Sequence, residues 1–164
     1  MTDQAYVMRE APELFGRTIF AEDARFEVSG QFTLVGVIPS AGIDLAEFPA
    51  AIPKLAMMIE FQQRPDVEAD DVRIAVFMPG AGAEEPAFQH TITKDEWLKE
   101  EVEFGTIEHD GPYPSPLVRR VTQVVVTSNL EIKRPGMIQV RAFRRREVIG
   151  LGALRVIPAS EKQI

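Results

Sequence analysis

The chain has 164 residues, of which 45% are hydrophobic and 26% charged, and its formal net charge is −7. This length suits one domain, which can bury a core without disulfides or a structural metal. The chain has no cysteine and only two histidines. This composition excludes a disulfide framework, a thiolate metal site, a cysteine nucleophile and a multi-histidine zinc site. Because no apolar run reaches the roughly 18 residues of a membrane span and the N-terminus lacks signal-peptide features, we expect a cytoplasmic protein with no membrane contact.

The first part of the chain alternates between short strand-like segments and turns. Residues 1–15 have mixed charge and no period, so we expect an N-terminal arm there. Apolar residues at every second position predict half-buried strands, and clusters of Gly and Pro predict connections, including one over 39–53. The strands predicted in this part are 17–21, 25–28, 31–38, 54–61, 72–78 and 88–93.

The stretch after residue 93 has two competing interpretations. Thr93 and Glu96 form the Thr-x-x-Glu pattern of a capping box, which predicts a short helix over 94–102, and a strand there is the alternative. The segment 105–116 contains two glycines and three prolines. Because each proline removes a donor from a strand ladder, we expect this segment to be a connection.

The end of the chain is its most regular part. Strands are predicted over 121–132, 137–143 and 148–157, with a turn at Pro135–Gly136 and a C-terminal tail over 159–164. Within the last strand, two glycines flank Leu151, and glycine inside a strand is typical of a bulge or of close packing.

About eight short strands with little helix predict an all-β fold. The expected architecture is a two-sheet antiparallel β-sandwich over residues 16–158, with the helix over 94–102 as its one helical element. Alternation along the strands predicts which side chains fill the core. These are Phe32, Leu34, Leu55, Met57, Ile59, Phe61, Ile74, Val76, Val124, Val126, Val140, Leu154 and Val156.

One segment resembles a known family. The stretch from Ala21 to Val37 contains an acidic pair, Ala-Arg, a Glu, a Ser-Gly turn and a Leu-Val-Gly-Val strand. It resembles the opening of a family of short bacterial proteins known only as a domain of unknown function, and 48–55 is similar to that family's Phe-Pro-x-x-Leu-Pro-x-Leu stretch. The sequence departs from the family at Ala21-Glu22, where Cys-Asp is common, and in a longer segment over 95–118. The resemblance implies a β-sandwich of bacterial or phage origin and transfers no activity or functional residue.

Charge is distributed unevenly along the chain. Residues 1–118 contain eight basic and 22 acidic residues, a net charge of −14, whereas residues 119–164 contain ten basic and three acidic residues, a net charge of +7. The acidic total argues against general nucleic-acid binding. Because guanidinium groups bind carboxylates bidentately, arginines near the last turn are candidates for contact with an acidic protein partner, and a solvated turn is the alternative. The candidate contact residues are Arg141, Arg144, Arg145 and Arg146.

Two acidic clusters are candidate cation sites, and neither has the pattern of a known metal site. The cluster Glu22–Glu27 includes Arg25, so ion pairs that hold the start of a strand are the simpler interpretation. The cluster Asp66–Asp71 contains four carboxylates. An EF-hand loop needs Gly and Glu at its sixth and twelfth positions, where this segment has Asp71 and Phe77. We assign no metal ligand, and whether either cluster holds a cation stays open.

No catalytic constellation is recognisable. His90 and His109 lie near carboxylates, but the chain has no Gly-x-Ser-x-Gly elbow, no Gly-x-x-x-x-Gly-Lys loop and no Gly-x-Gly-x-x-Gly. We therefore assign no catalytic residue, no cofactor-binding residue and no cofactor.

The expected function is that of a non-catalytic β-sandwich that acts by protein contact, as a subunit of a larger bacterial or phage assembly. Homo-oligomerisation stays open. The runner-up is a small-ligand or carbohydrate-binding module in which Trp97 and Tyr113 would form a platform for a sugar ring. An enzyme is the third alternative, since no nucleophile–base pair is visible in the sequence.

Overall fold

A computed structural model describes residues 12–39, 41–64, 66–82, 85–96, 98 and 118–159. Nine β-strands dominate these residues, and helical geometry within them occurs only at residues 94–96 and 98 and, as a 3-10 residue, at Ala159. The predicted all-β class is confirmed. The strands are β1 (Leu14–Phe26), β2 (Phe32–Val37), β3 (Ile43–Leu45), β4 (Ala50–Gln63), β5 (Val72–Phe77), β6 (Phe88–Ile92), β7 (Arg119–Ile132), β8 (Gly136–Arg144) and β9 (Glu147–Pro158).

The strands form two packed sheets, as the predicted β-sandwich requires. One sheet has four strands in the order β2-β1-β4-β7, and the other has five in the order β3-β9-β8-β5-β6. All pairings are antiparallel except that of β3 with β9. The buried core between the sheets includes Phe20, Leu55, Met57, Ile59, Phe61, Val72, Ile74, Val76, Val125, Ile132, Ile138, Val140, Leu151, Leu154 and Val156.

Strand β4 contains the longest run of consecutive buried residues in the described part of the chain. Every residue from Leu55 to Phe61 is buried, although alternation sends every second side chain to the outer face of the sheet. Strands β1 and β7 flank β4 on both sides over this stretch. Their side chains cover its outward positions, including the carboxylate-bearing residue Glu60, which is 6% exposed.

The two sheets meet most closely where β1 crosses β9. A Cβ atom on Gly16 would lie 2.7 Å from Leu151 Cδ2, and one on Gly152 would lie 3.1 Å from Thr18 Cβ. The β8–β9 register shifts between Val140 and Arg141, which leaves Leu151 as the extra residue of a bulge. The predicted bulge is confirmed between Gly150 and Gly152, and the predicted close packing is confirmed at Gly152.

The first strands differ from the prediction in number and length. Segment 17–21 and the first two residues of segment 25–28 belong to one strand, β1, which begins inside the predicted arm at Leu14 and ends at Phe26. The segment 39–53 is not only a connection, because it contains β3 and the first residues of β4. Pro53 is tolerated there because β1 pairs with β4 only as far as Ala56, so β4 has a single neighbour at the proline.

The core prediction is right for nine of its 13 residues. Val124 and Val126 are wrong, because Val125 points into the core and Val126 is 38% exposed. Three consecutive valines carry no alternation that could set the phase. Phe32 and Leu34 are only half-buried, since they lie on the β1–β2 hairpin where it extends from the core.

One of the two hydrogen bonds of the predicted capping box is formed, the one through the Glu96 side chain. The Thr93 backbone N–H donates to Glu96 Oε2 at 2.7 Å, and the Thr93 hydroxyl lies 2.9 Å from the same oxygen. Helical geometry at 94–96 and 98 favours the helix over the alternative strand. The rest of the predicted 94–102 helix, the 105–116 connection, residues 1–11 and the tail beyond residue 159 lie outside the described residues.

Candidate functional site

The structure places the four candidate arginines in four different environments. Arg144 is 6% exposed, and its Nη2 donates to the Glu68 carbonyl oxygen at 2.6 Å. Its carboxylate neighbour Glu147 is 3.8 Å away. Arg144 is therefore not available for contact at the surface, because β8 still alternates at this position and points it inward.

Arg145 belongs to an ion-pair cluster between two turns. Its Nη2 lies 2.8 Å from Glu68 Oε2, and its Nε donates to Asp70 Oδ2. These hydrogen bonds hold the pKa of both carboxyl groups below their usual values and raise the pKa of Arg145. Arg146 is exposed and forms no ion pair with a described residue. The turn between β4 and β5, which we call the acidic turn, thus neutralises one of the three turn arginines, Arg145.

The acidic turn between β4 and β5 is tied to the fold by its carbonyl oxygens. Buried Gln63 donates through Nε2 to the carbonyls of Val67 at 2.7 Å and Glu68 at 3.0 Å, and Arg119 donates to Val67 O at 3.0 Å. The Arg64 guanidinium lowers the pKa of Asp66. The described residues contain no group of three or more candidate metal ligands. The hydrogen bonds and ion pairs of this turn make it part of the structural framework.

Arg141 lies in a different setting, on the outward side of the five-stranded sheet. The register places Arg141 opposite Ala75 and Arg73 opposite Phe143 on neighbouring strands β5 and β8. Phe77 follows on the same side of β5. We call Arg73 and Arg141, together with the buried Phe77 ring and the half-buried Phe143 ring beneath them, the cationic face.

Each arginine of the cationic face lies over an aromatic ring. The Cζ atom of Arg73 is 4.1 Å from the centre of the Phe143 ring, and that of Arg141 is 5.8 Å from the centre of the Phe77 ring. The two rings are 6.2 Å apart and meet edge to face at 63°. Such contacts orient a guanidinium while leaving its N–H edges available, because the ring covers only one plane of the group.

The polar neighbours of these arginines are uncharged. Arg73 donates to Gln89 Oε1 at 3.2 Å, and Arg141 donates to Gln139 Oε1. A guanidinium has five N–H donors, so one amide oxygen leaves most of them unused. Over the described residues, neither arginine forms an ion pair, and the outward positions of β5, β6, β8 and β9 contain no Asp or Glu. Asp44, at the far corner on β3, is the outward carboxylate of this sheet.

The outer face of the four-stranded sheet is built differently. There, Arg17 pairs with Glu60, and Arg120 Nη1 approaches Glu60 Oε1 at 4.0 Å. Lys54 Nζ lies 2.7 Å from Asp23 Oδ1, and this contact lowers the pKa of Asp23. On this face, cations and carboxylates are matched across neighbouring strands.

Within the cluster Glu22–Glu27, Asp23 forms an ion pair that holds the strand, as the simpler interpretation predicts, although its partner is not the expected one. Asp23 also accepts a hydrogen bond from the Ala24 N–H at 2.8 Å. Asp23 pairs with Lys54 across the sheet, not with Arg25. Glu22 points away from this pair and lines a groove at the end of the sandwich, together with Gly36 and Ile52.

The remaining residues of interest are dispersed or undescribed. His90 is exposed on edge strand β6. His109, Trp97 and Tyr113 lie outside the described residues, so the sugar platform has no structural account. Sequence reasoning missed Arg73, yet the alternation of Val72, Ile74 and Val76 already places it on the outward side of its strand.

Comparisons with known proteins add no relative. A scan against protein-family models matched none, and searches of curated proteins and of solved structures found no significant similarity. Within the described residues, no helix is long and apolar enough to cross a membrane.

Proposed function

We propose that this chain is a non-catalytic β-sandwich protein that binds an acidic protein partner through the cationic face. The observation that carries the proposal is the placement of Arg73 and Arg141 over aromatic rings without a carboxylate partner among the described residues. A cytoplasmic setting and membership of a larger bacterial or phage assembly belong to the same proposal.

Pre-organisation is the first reason to assign binding to this face. A flexible arginine loses rotamer freedom when it binds a partner, which weakens the complex. Here the Phe143 and Phe77 rings and the Gln89 and Gln139 amides already restrict both guanidinium groups. The strands beneath are central in their sheet, so the support is rigid.

The spacing of the two arginines is the second reason. Arg73 and Arg141 are diagonal neighbours on adjacent antiparallel strands, which puts their backbones about 7–8 Å apart. In an extended peptide, alternate side chains share one side and are about 6.6–6.8 Å apart. A partner segment with acidic residues at positions i and i+2 therefore matches the backbone spacing of the two arginines.

A short acidic peptide tests the proposal directly. We expect fluorescein-labelled hexaglutamate to bind the protein in a fluorescence anisotropy titration, and hexaglutamine not to bind. The net charge of −7 opposes association, but at physiological salt charges beyond about 8 Å are screened. Changing both Arg73→Gln and Arg141→Gln should weaken hexaglutamate binding about tenfold or more, because two charge-assisted contacts are lost.

The matched control changes the same number of charges on the opposite sheet. Arg25→Gln with Arg120→Gln alters the net charge equally and leaves the cationic face intact. We expect this pair of substitutions to leave hexaglutamate affinity within about twofold of the original, since the removed charges lie beyond the screening length. Equal losses in the two double variants, or no binding of hexaglutamate at all, would show that the cationic face is not the binding surface.

A further inference from the structure

A groove at one end of the sandwich is a second candidate site, independent of the cationic face. It lies where β2 ends, where the chain leads into β3, and where β4 begins. Its volume is about 580 Å³, within the roughly 300–1,000 Å³ of small-molecule sites. We call it the end groove. Its lining residues are Glu22, Gly36, Val37, Ile38, Pro39, Gly42, Ile43, Ile52, Pro53 and Lys54.

The walls of the end groove are mostly apolar. Ile38 and Ile43 are half-buried and pack against the edge of the core, and Ile52 belongs to the core itself. The groove is open there because β1 no longer pairs with β4 beyond Ala56, so the four-stranded sheet separates at this end. A ligand with an apolar body would bury this wall and so gain hydrophobic free energy.

Glu22 is held against the neighbouring strand at the mouth of the groove. The register places it opposite Gly36, since Ala21 faces Val37 and Asp23 faces Val35. A Cβ on Gly36 would lie 2.6 Å from Glu22 Oε2, and the φ angle of Gly36 is +64°. The backbone conformation therefore favours glycine at this position, and the Glu22 carboxylate lies over the space that a side chain would otherwise fill.

The two charged residues of the end groove are not equivalent. Lys54 is already paired with Asp23, at 2.7 Å. Glu22 forms no ion pair or side-chain hydrogen bond with any residue that the structure describes. The charge that a ligand would meet without competition is therefore the negative one.

We propose that the end groove binds a small organic cation, an amine or guanidine attached to an apolar body. The cationic head would form a charge-assisted hydrogen bond with Glu22, and the body would lie against Ile38, Ile43 and Ile52. An anionic ligand is disfavoured because it would have to displace Asp23 from Lys54 and approach Glu22.

The probe for this site is 2-phenylethylamine, compared with 2-phenylethanol and 3-phenylpropionate, which keep the aromatic body and change the head. Titration followed by ¹H–¹⁵N correlation NMR should give saturable shifts for the amides of Val37, Ile38 and Ile43 with the amine up to about 10 mM. The alcohol should bind about tenfold more weakly, because it lacks the charge-assisted contact, and the carboxylate should not saturate.

Two isosteric variants separate Glu22 from general charge effects. Glu22→Gln should weaken binding of the amine about tenfold, whereas Glu27→Gln, an equal charge change on the same hairpin outside the groove, should not alter it. Equal affinity for the amine and the carboxylate, an unaffected Glu22→Gln variant, saturable shifts confined to other regions, or no saturable shift would each overturn the proposal. None of these outcomes bears on hexaglutamate binding, so the two proposals stand or fall separately.

Discussion

The arginines of the β8–β9 turn and those of the cationic face have the same charge and opposite surroundings. In the turn, Arg144 is buried against a backbone carbonyl and Arg145 is paired with Glu68 and Asp70. On the cationic face, Arg73 and Arg141 lie over phenyl rings beside neutral amides. The comparison shows that two of the three arginines in the densest run of charge are buried or paired in the fold, whereas Arg73 and Arg141, from two separate strands, have no carboxylate partner among the described residues.

The difference arises from which elements the fold brings together. The acidic turn after β4 and the arginine turn after β8 are more than 70 residues apart in sequence, as in the Arg145–Asp70 pair at a separation of 75. The β5–β8 pairing places them at the same end of the five-stranded sheet. Opposite charges then meet in the turns, whereas the charged residues on the outward side of β5 and β8 are both arginines, Arg73 and Arg141.

The largest expected effect is on stability, and it distinguishes the buried arginine of the β8–β9 turn from an exposed one. Arg144→Ala should lower the free energy of unfolding by about 2–3 kcal/mol, because a buried hydrogen bond from a charged group is lost. Urea unfolding measures the change. Arg146→Ala, an exposed neighbour in the same turn, should change it by less than about 0.5 kcal/mol. Equal, small effects in both variants would mean that Arg144 is not part of the structural framework.

A smaller effect is expected beneath the cationic face. Phe143→Ala removes a half-buried ring that supports Arg73 and contacts Phe77. We expect a loss of about 1–2 kcal/mol in the free energy of unfolding, from reduced apolar burial and the lost cation–π contact. Hexaglutamate affinity should fall as well, although no charge changes. Retained affinity in a folded variant would show that pre-organisation by the ring is unimportant.

The ion-pair cluster of the turns predicts a dependence of stability on pH. The Arg145 contacts lower the pKa of Glu68 and Asp70 in the folded state. Stability from these contacts is therefore complete above the unfolded pKa values of about 4 and is lost as the pH falls through the folded values. Arg145→Gln should reduce stability at pH 7 and flatten its decline towards acid, measured by urea midpoints at several pH values. Arg146→Gln should keep the original pH profile, and a parallel change in both variants would contradict the assignment.

The smallest effect, none at all, is expected from divalent cations. The acidic turn already uses Asp66, Glu68 and Asp70 in contacts with arginines. Calorimetry should give the same thermal midpoint with excess EDTA and with millimolar calcium. A calcium-dependent rise of several degrees would show that the turn prefers a metal to its arginine partners.

Local pattern was sufficient for most of the fold. Alternation at Leu55–Phe61 and Ile74–Val76 correctly predicted strands and their core faces. The phase of Val124–Val126 could not be predicted, because three adjacent β-branched residues fit either face. Strand β3 could not be predicted either, since three residues among prolines and glycines carry no period and owe their conformation to β9.

The candidate site was only half predictable. Arg141 was identified for its charge, and its true neighbours Arg73 and Phe77 come from β5, which precedes it by more than 60 residues. Nothing in either segment alone encodes the β5–β8 register that places Arg73 over Phe143. Without this register, the sequence does not show that Arg145 pairs with the acidic turn, and its run of charge therefore favours the arginine turn as the binding surface.

The most direct test of the central claim is to map where an acidic peptide binds. Amide shifts recorded during a hexaglutamate titration, together with those of the Arg73 and Arg141 side-chain Nε–H groups, report on the cationic face and on the turn in one experiment. We expect the largest saturable shifts at Arg73, Gln139 and Arg141, with small shifts over 144–147. Shifts concentrated over 144–147, with Arg73 and Arg141 unmoved, would contradict this claim.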